Sequence, residues 1–151
     1  MNKVLLGNGI SLTADSLSLA ATPDEIAKLE SFLGVGLPEE YRRILSQANG
    51  FSGWTDADDE DDQHYVDLYG VTEVIETERE FRLRQLTPKT LVIGSSGGGQ
   101  AYILQIEPTV SAPWIRAHFE EISPSGDRLE LRYQTLSDLF AHLGDSYVGV
   151  D

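Results

Sequence analysis

The chain has 151 residues, which fits one ordinary domain, and its 40% hydrophobic content supplies a core. It contains no cysteine, which excludes disulfides, thiolate nucleophiles and Cys-based zinc sites and fits a reducing cytosol. Its formal net charge of -14 opposes binding to nucleic-acid phosphates or anionic membranes. That charge either serves solubility or steers a basic partner. The opening Met1-Asn2-Lys3-Val4-Leu5-Leu6-Gly7-Asn8 is too weakly charged and too briefly apolar for a secretory signal. No stretch has the roughly 18 consecutive apolar residues of a membrane span, so a cytoplasmic location is expected.

The first 20 residues show weak periodicity and read as an extended N-terminal arm with room for a short strand or helix. Residues 21–151 then read as a single domain. Thr22-Pro23-Asp24-Glu25 is a helix start: threonine caps, proline suits the first turn, and Glu25 completes a capping box. Ile26, Leu29, Phe32 and Leu33 make its apolar stripe, and Gly34 suits a left-handed stop. Leu37-Pro38-Glu39-Glu40 opens a second helix by similar logic. Its buried face is Tyr41, Ile44, Leu45 and Ala48, and Asn49-Gly50 is its stop.

Residues 51–63 read as a loop and 64–69 as a short strand. A helix follows from Thr72 to about Leu86, patterned by Val74, Ile75, Glu78, Phe81 and Leu83. The remaining chain turns to strands at 90–93, 101–106, 114–119 and 129–133, with turns at Ser95–Gly99 and Pro124–Asp127. Thr135 caps a last helix whose apolar side is Leu136, Leu139, Phe140 and Leu143. Helices, then a meander, then a helix predict an α+β fold: one antiparallel or mixed sheet packed by N-terminal and C-terminal helices.

The charge is concentrated. Residues 56–80 hold eleven acids and one base, a net -10. Within them Asp56, Asp58, Asp59, Glu60, Asp61 and Asp62 crowd into seven positions. Carboxylates suit calcium, but the EF-hand pattern fails, because no glycine stands at the sixth position and Asp67 stands at the twelfth. The run reads as a solvated loop or as a docking surface for a basic partner. Trp54 sits beside Gly53 in the same polar region, where a partly exposed ring can anchor an interface. Trp114 follows Pro113 at a strand start and reads as core.

Catalytic motifs are missing. Gly94-Ser95-Ser96-Gly97-Gly98-Gly99 is followed by Gln100-Ala101, not by the Lys-Ser/Thr of a phosphate loop. Its serines lack nucleophile-elbow spacing. Gly97, Gly98 and Gly99 read as a hairpin turn needing positive φ, or as a contact loop that lets a partner's backbone approach. His64, His118 and His142 lack metal-ligand spacing. No metal and no cofactor is expected, and the 25 acids single out no catalytic pair.

The helical half carries a more specific pattern. Leu29-Glu30, Leu33-Gly34, Leu37-Pro38-Glu39-Glu40-Tyr41-Arg42, Leu45 and Asn49-Gly50, at these spacings, resemble the opening signature of the SUKH superfamily. Ile93 to Tyr102 looks like that family's glycine-rich strand–turn–strand, and Leu136 to Leu143 like its closing helix. The superfamily includes fungal cell-wall assembly regulators and many bacterial immunity proteins. The resemblance implies an α+β fold, no transferred catalytic residues, and a bacterial antidote that occludes a cognate toxin. A basic toxin would suit the acidic run. An intracellular regulatory scaffold is the alternative, followed by an enzyme acting on a small ligand beside the Gly97–Gly99 turn. The candidate contacts are Trp54, the six acids between Asp56 and Asp62, and Gly97 to Gly99.

Overall fold

The computed structural model describes residues 3–7, 10–17, 19–55, 64–81, 90–97, 99–105, 113–118 and 130–143. Its strands are β1 (Lys3–Gly7), β2 (Ile10–Leu17), β3 (Phe51–Thr55), β4 (Tyr65–Leu68), β5 (Thr90–Ser95), β6 (Gln100–Gln105), β7 (Trp114–His118) and β8 (Glu130–Tyr133). The helices are α1 (Pro23–Leu33), α2 (Glu39–Leu45), α3 (Val71–Phe81) and α4 (Leu136–Ala141). The described strands form one eight-stranded sheet in simple chain order. Every neighbouring pair is antiparallel. This is the α+β architecture expected, with the sheet antiparallel throughout.

Local chemistry builds α1 as expected. The Glu25 carboxylate accepts from Thr22 N at 2.9 Å, and Thr22 Oγ1 accepts from Glu25 N at 3.2 Å. Gly34 closes the helix at φ 87°, donating to Glu30 O. Such a box is worth about 1 kcal/mol to the helix end. Helix α2 departs from expectation at both ends. Pro38 is its N-cap and offers no side-chain acceptor, and Ser46, ahead of Asn49, is its C-cap. The Glu40 side chain instead caps a different helix. It accepts from Leu136 N at 2.8 Å and Ser137 N at 3.4 Å, at the start of α4.

Two other expectations change. The segment read as an arm contributes the hairpin β1–β2, and β2 pairs with β3. The first five residues of the loop expected at 51–63 are β3, held between β2 and β4. Ser52 and Gly53 carry little intrinsic β preference, so pairing on both sides makes this strand. Residues 82–89 and 106, the final turns of the expected α3 helix and the end of β6, lie outside the described residues, as do the turn at 124–127 and the 119 and 129 strand ends.

The main core lies between the helices and one face of the sheet. Leu29, Leu33, Tyr41, Ile44, Leu45, Val74, Leu91, Ile93, Leu104, Trp114, Leu136 and Leu139 meet there. Trp114 is core, as expected, and Tyr41 meets it edge-on at 5.9 Å and 77°. Helix α4 approaches β1, β2, β7 and β8, so both ends of the sheet curl toward one short helix. Val92, Ala101, Ile103, Ile115 and Ala117 form a smaller buried cluster of their own. These residues alternate with main-core residues along β5, β6 and β7, which explains their continuous apolar runs. No helix among the described residues is long and apolar enough to cross a membrane.

Asn49 ties the helical half to the sheet. Its backbone N donates to Leu19 O at 2.9 Å. Its side chain donates to Glu25 Oε2 at 3.0 Å and accepts from Val71 N at 2.8 Å, where α3 begins. Directly beyond it, a Cβ on Gly50 would lie 2.7 Å from Gly70 N, and one on Gly70 would lie 2.6 Å from Asn49 O. Gly50 also holds φ 92°. Only glycines permit that approach.

Two expected outcomes follow from this packing. Asn49→Ala strands the buried Val71 N–H, and urea denaturation should show a loss of about 2–4 kcal/mol. Tyr41 behaves oppositely, because its buried hydroxyl meets no hydrogen-bond partner among the described residues. Tyr41→Phe keeps the ring contact and removes that hydroxyl, so stability should stay level or rise by about 1 kcal/mol. A large loss in Tyr41→Phe would contradict this reading of the core.

Candidate functional site

The face of β3 and β4 turned away from the helices carries the residues of interest. Phe51, Gly53 and Thr55 are buried, whereas Ser52 is half-buried and Trp54 is 42% exposed. Among the described residues, only Leu19 and Trp54 are large hydrophobics left exposed. On β4, Val66 and Leu68 are buried while Tyr65 and Asp67 are half-buried. In antiparallel register Trp54 stands opposite Tyr65, and Ser52 opposite Asp67. The four side chains therefore share one face.

Trp54 and Tyr65 meet edge to face, with ring centroids 5.5 Å apart at 71°. The Gly97 turn leans on the same pair. A Cβ at Gly97 would lie 3.0 Å from Tyr65 Cδ2, and Gly97 holds φ 78°. Gly99 is exposed at φ 102°. The positive φ values bear out the hairpin reading at these two positions. Gly98 lies outside the described residues.

The acidic run, Asp56 to Asp62, also lies outside the described residues, but the residues flanking its segment are bonded together. Thr55 N donates to His64 O at 2.9 Å, and His64 N donates to Thr55 Oγ1 at 2.9 Å. Thr55 and His64 thus form a closed neck at the ends of β3 and β4. That neck adjoins Trp54 on one strand and Tyr65 on the other. Two features picked separately in the sequence, Trp54 and the glycine turn, are joined through Tyr65.

Sequence reasoning missed Tyr65, Asp67, Tyr69 and Glu73. The alternation of Tyr65 and Asp67 in the expected strand was the available signal. Burial raises the Asp67 carboxyl above its ordinary range, and the negative charge of Glu73 adds to the rise. Burial likewise raises the Tyr69 hydroxyl; the charges of Asp67 and Glu73 push the same way, and a hydrogen bond with Ser95 opposes them. Ser95 stands opposite Asp67 on β5. Asp67, Ser95 and Tyr69 thus put a carboxylate and two hydroxyls at this end of the face.

Elsewhere, an open groove of about 540 Å³ runs between α1 and α2. Pro23, Ile26, Glu30, Glu39, Arg42 and Arg43 contribute to its lining. Two of these charged groups brace the α1–α2 connection. Glu30 Oε2 accepts from Leu37 N at 2.7 Å, and Arg42 Nε donates to Leu37 O at 3.2 Å. Arg42 Nε also lies 4.0 Å from Glu30 Oε2.

Residues 20–142 match the model of the SMI1 / KNR4 family (SUKH-1), and the chain belongs to that family. The match starts after the β1–β2 hairpin and takes in α1, α2 and the Trp54–Tyr65 face. A search of the curated proteins finds no match.

The raised Asp67 carboxyl gives a pH test. Its folded-state value lies above its unfolded value, so its ionisation weakens the fold as pH rises through that interval. Asp67→Asn should raise the melting temperature at pH 7 by no more than about 3 °C, given solvent screening. That advantage should vanish below about pH 4, where the wild-type carboxyl is protonated. An advantage persisting unchanged at pH 3 would contradict this assignment.

Proposed function

Taking SUKH-1 membership as the premise, we propose that this chain is a non-catalytic, protein-binding immunity domain that occludes a basic protein toxin in the cytoplasm. The observation that carries the reading is the neck at Thr55 and His64. In the sequence the six acids fall between Thr55 and His64, and Trp54 next to that neck is exposed. Long-range charge would raise the encounter rate, and the aromatic pair would supply desolvated contact at the centre. The division of labour resembles an interface with an apolar anchor and a charged rim. The turn at Gly97 and Gly99 borders the same face and offers its backbone closely to a partner.

The test is protection of cells expressing any toxin found to be encoded beside this chain. The wild-type chain should restore growth, and association measured by stopped flow should slow about tenfold or more as salt is raised. Asp58, Asp59, Asp61 and Asp62 changed together to Asn should slow association similarly. Trp54→Ala should speed dissociation by about tenfold or more, as an anchor residue does. Failure to protect against any neighbouring toxin, with several endogenous partners recovered instead, would move the reading to a regulatory scaffold.

A further inference from the structure

We propose that the Trp54–Tyr65 pair, with Asp67 beside it on the same face, is a receptor for an arginine side chain of a basic protein partner. This rests on the protein-binding reading above and names the chemistry recognised. Three separate observations converge on it. The first is the ring pair, which keeps Trp54 exposed and fixed edge to face against Tyr65. A guanidinium is attracted to an indole face by the ring quadrupole, and it stacks there through its own plane.

The second is register. Tyr65 and Asp67 lie two residues apart on β4, on one face, which sets them about 7 Å apart along the strand. A guanidinium can then lie on the aromatic pair and direct its N–H fork toward a carboxylate. The third is charge. Asp67 and Glu73 sense one another as like charges, and among the described residues neither forms an ion pair. A half-buried carboxylate beside a second carboxylate favours an incoming cation. Lysine fits less well, since its compact and strongly hydrated ammonium lacks the planar fork.

The test uses the full chain, labelled with ¹⁵N, titrated with the blocked tripeptide acetyl-Gly-Arg-Gly-amide. The Trp54 indole N–H and the Tyr65 and Asp67 amides should shift together and saturate with a Kd on the order of millimolar. The uncharged citrulline tripeptide should give no saturating shift, and the lysine tripeptide should bind about threefold or more weakly. Trp54→Ala should weaken the arginine peptide about fivefold, Trp54→Phe should restore most of the loss, and Asp67→Asn should weaken it about threefold. Equal binding of citrulline and arginine peptides, or an unchanged titration in Trp54→Ala, would overturn the proposal. So would tighter binding of the lysine peptide. Toxin neutralisation without any tripeptide response removes the arginine receptor and leaves the immunity reading standing. A tripeptide response without neutralisation does the reverse.

Discussion

Asn49 and the glycine pair beyond it hold the two halves of the molecule in register. One side chain satisfies the first N–H of α3 and meets the capping carboxylate of α1, while its backbone reaches Leu19. Gly50 and Gly70 then pass so closely that neither tolerates a Cβ without backbone movement. Strand β3 starts at Phe51 directly after this joint, and β4 ends at Leu68 just before it. The positions of Trp54 and Tyr65 are measured from that fixed point. Half-buried polar joints of this kind cost stability when one partner is lost, and they define a single arrangement while intact.

The sheet then divides its labour along its width. Strands β5, β6 and β7 are buried on both faces, with one cluster toward the helices and a smaller one of their own. Strands β3 and β4 bury one face and leave the other half-open. A rigid, double-sided core next to a half-open face is a good platform for recognition, because contact residues are held in place before a partner arrives. Under the proposed reading, the acidic segment would add range to that recognition. Its net charge acts across a Debye length, whereas the aromatic pair acts only in contact.

Much of this was legible in the sequence wherever the determinants were local. The Thr22–Glu25 box and the Gly34 stop depend on neighbours within one helix, and both stand as read. Strand β3 was missed because Ser52 and Gly53 interrupt its strand-favouring Phe51, Trp54 and Thr55, and its pairing partners lie some 40 residues before and about 10 after it. Asn49 was read as a helix stop, and its longer-range role depends on Glu25 and Val71. Trp54 and the glycine turn were each picked out, one for exposure and the other for flexibility. Their union through Tyr65 depends on cross-strand register and on the approach of the β5–β6 turn, which no local pattern encodes. Glu40 shows the same limit, since its carboxylate serves a helix nearly a hundred residues away.

The central claim is that a partner protein is engaged through the open face of β3 and β4. Hydrogen–deuterium exchange of the chain, alone and bound to a toxin that it neutralises, addresses it most directly. Protection is expected at 52–55, 64–67 and 95–100, with α1 and α2 unchanged. Protection confined to the groove between α1 and α2, with the Trp54–Tyr65 strands exchanging as in the free chain, would contradict the account.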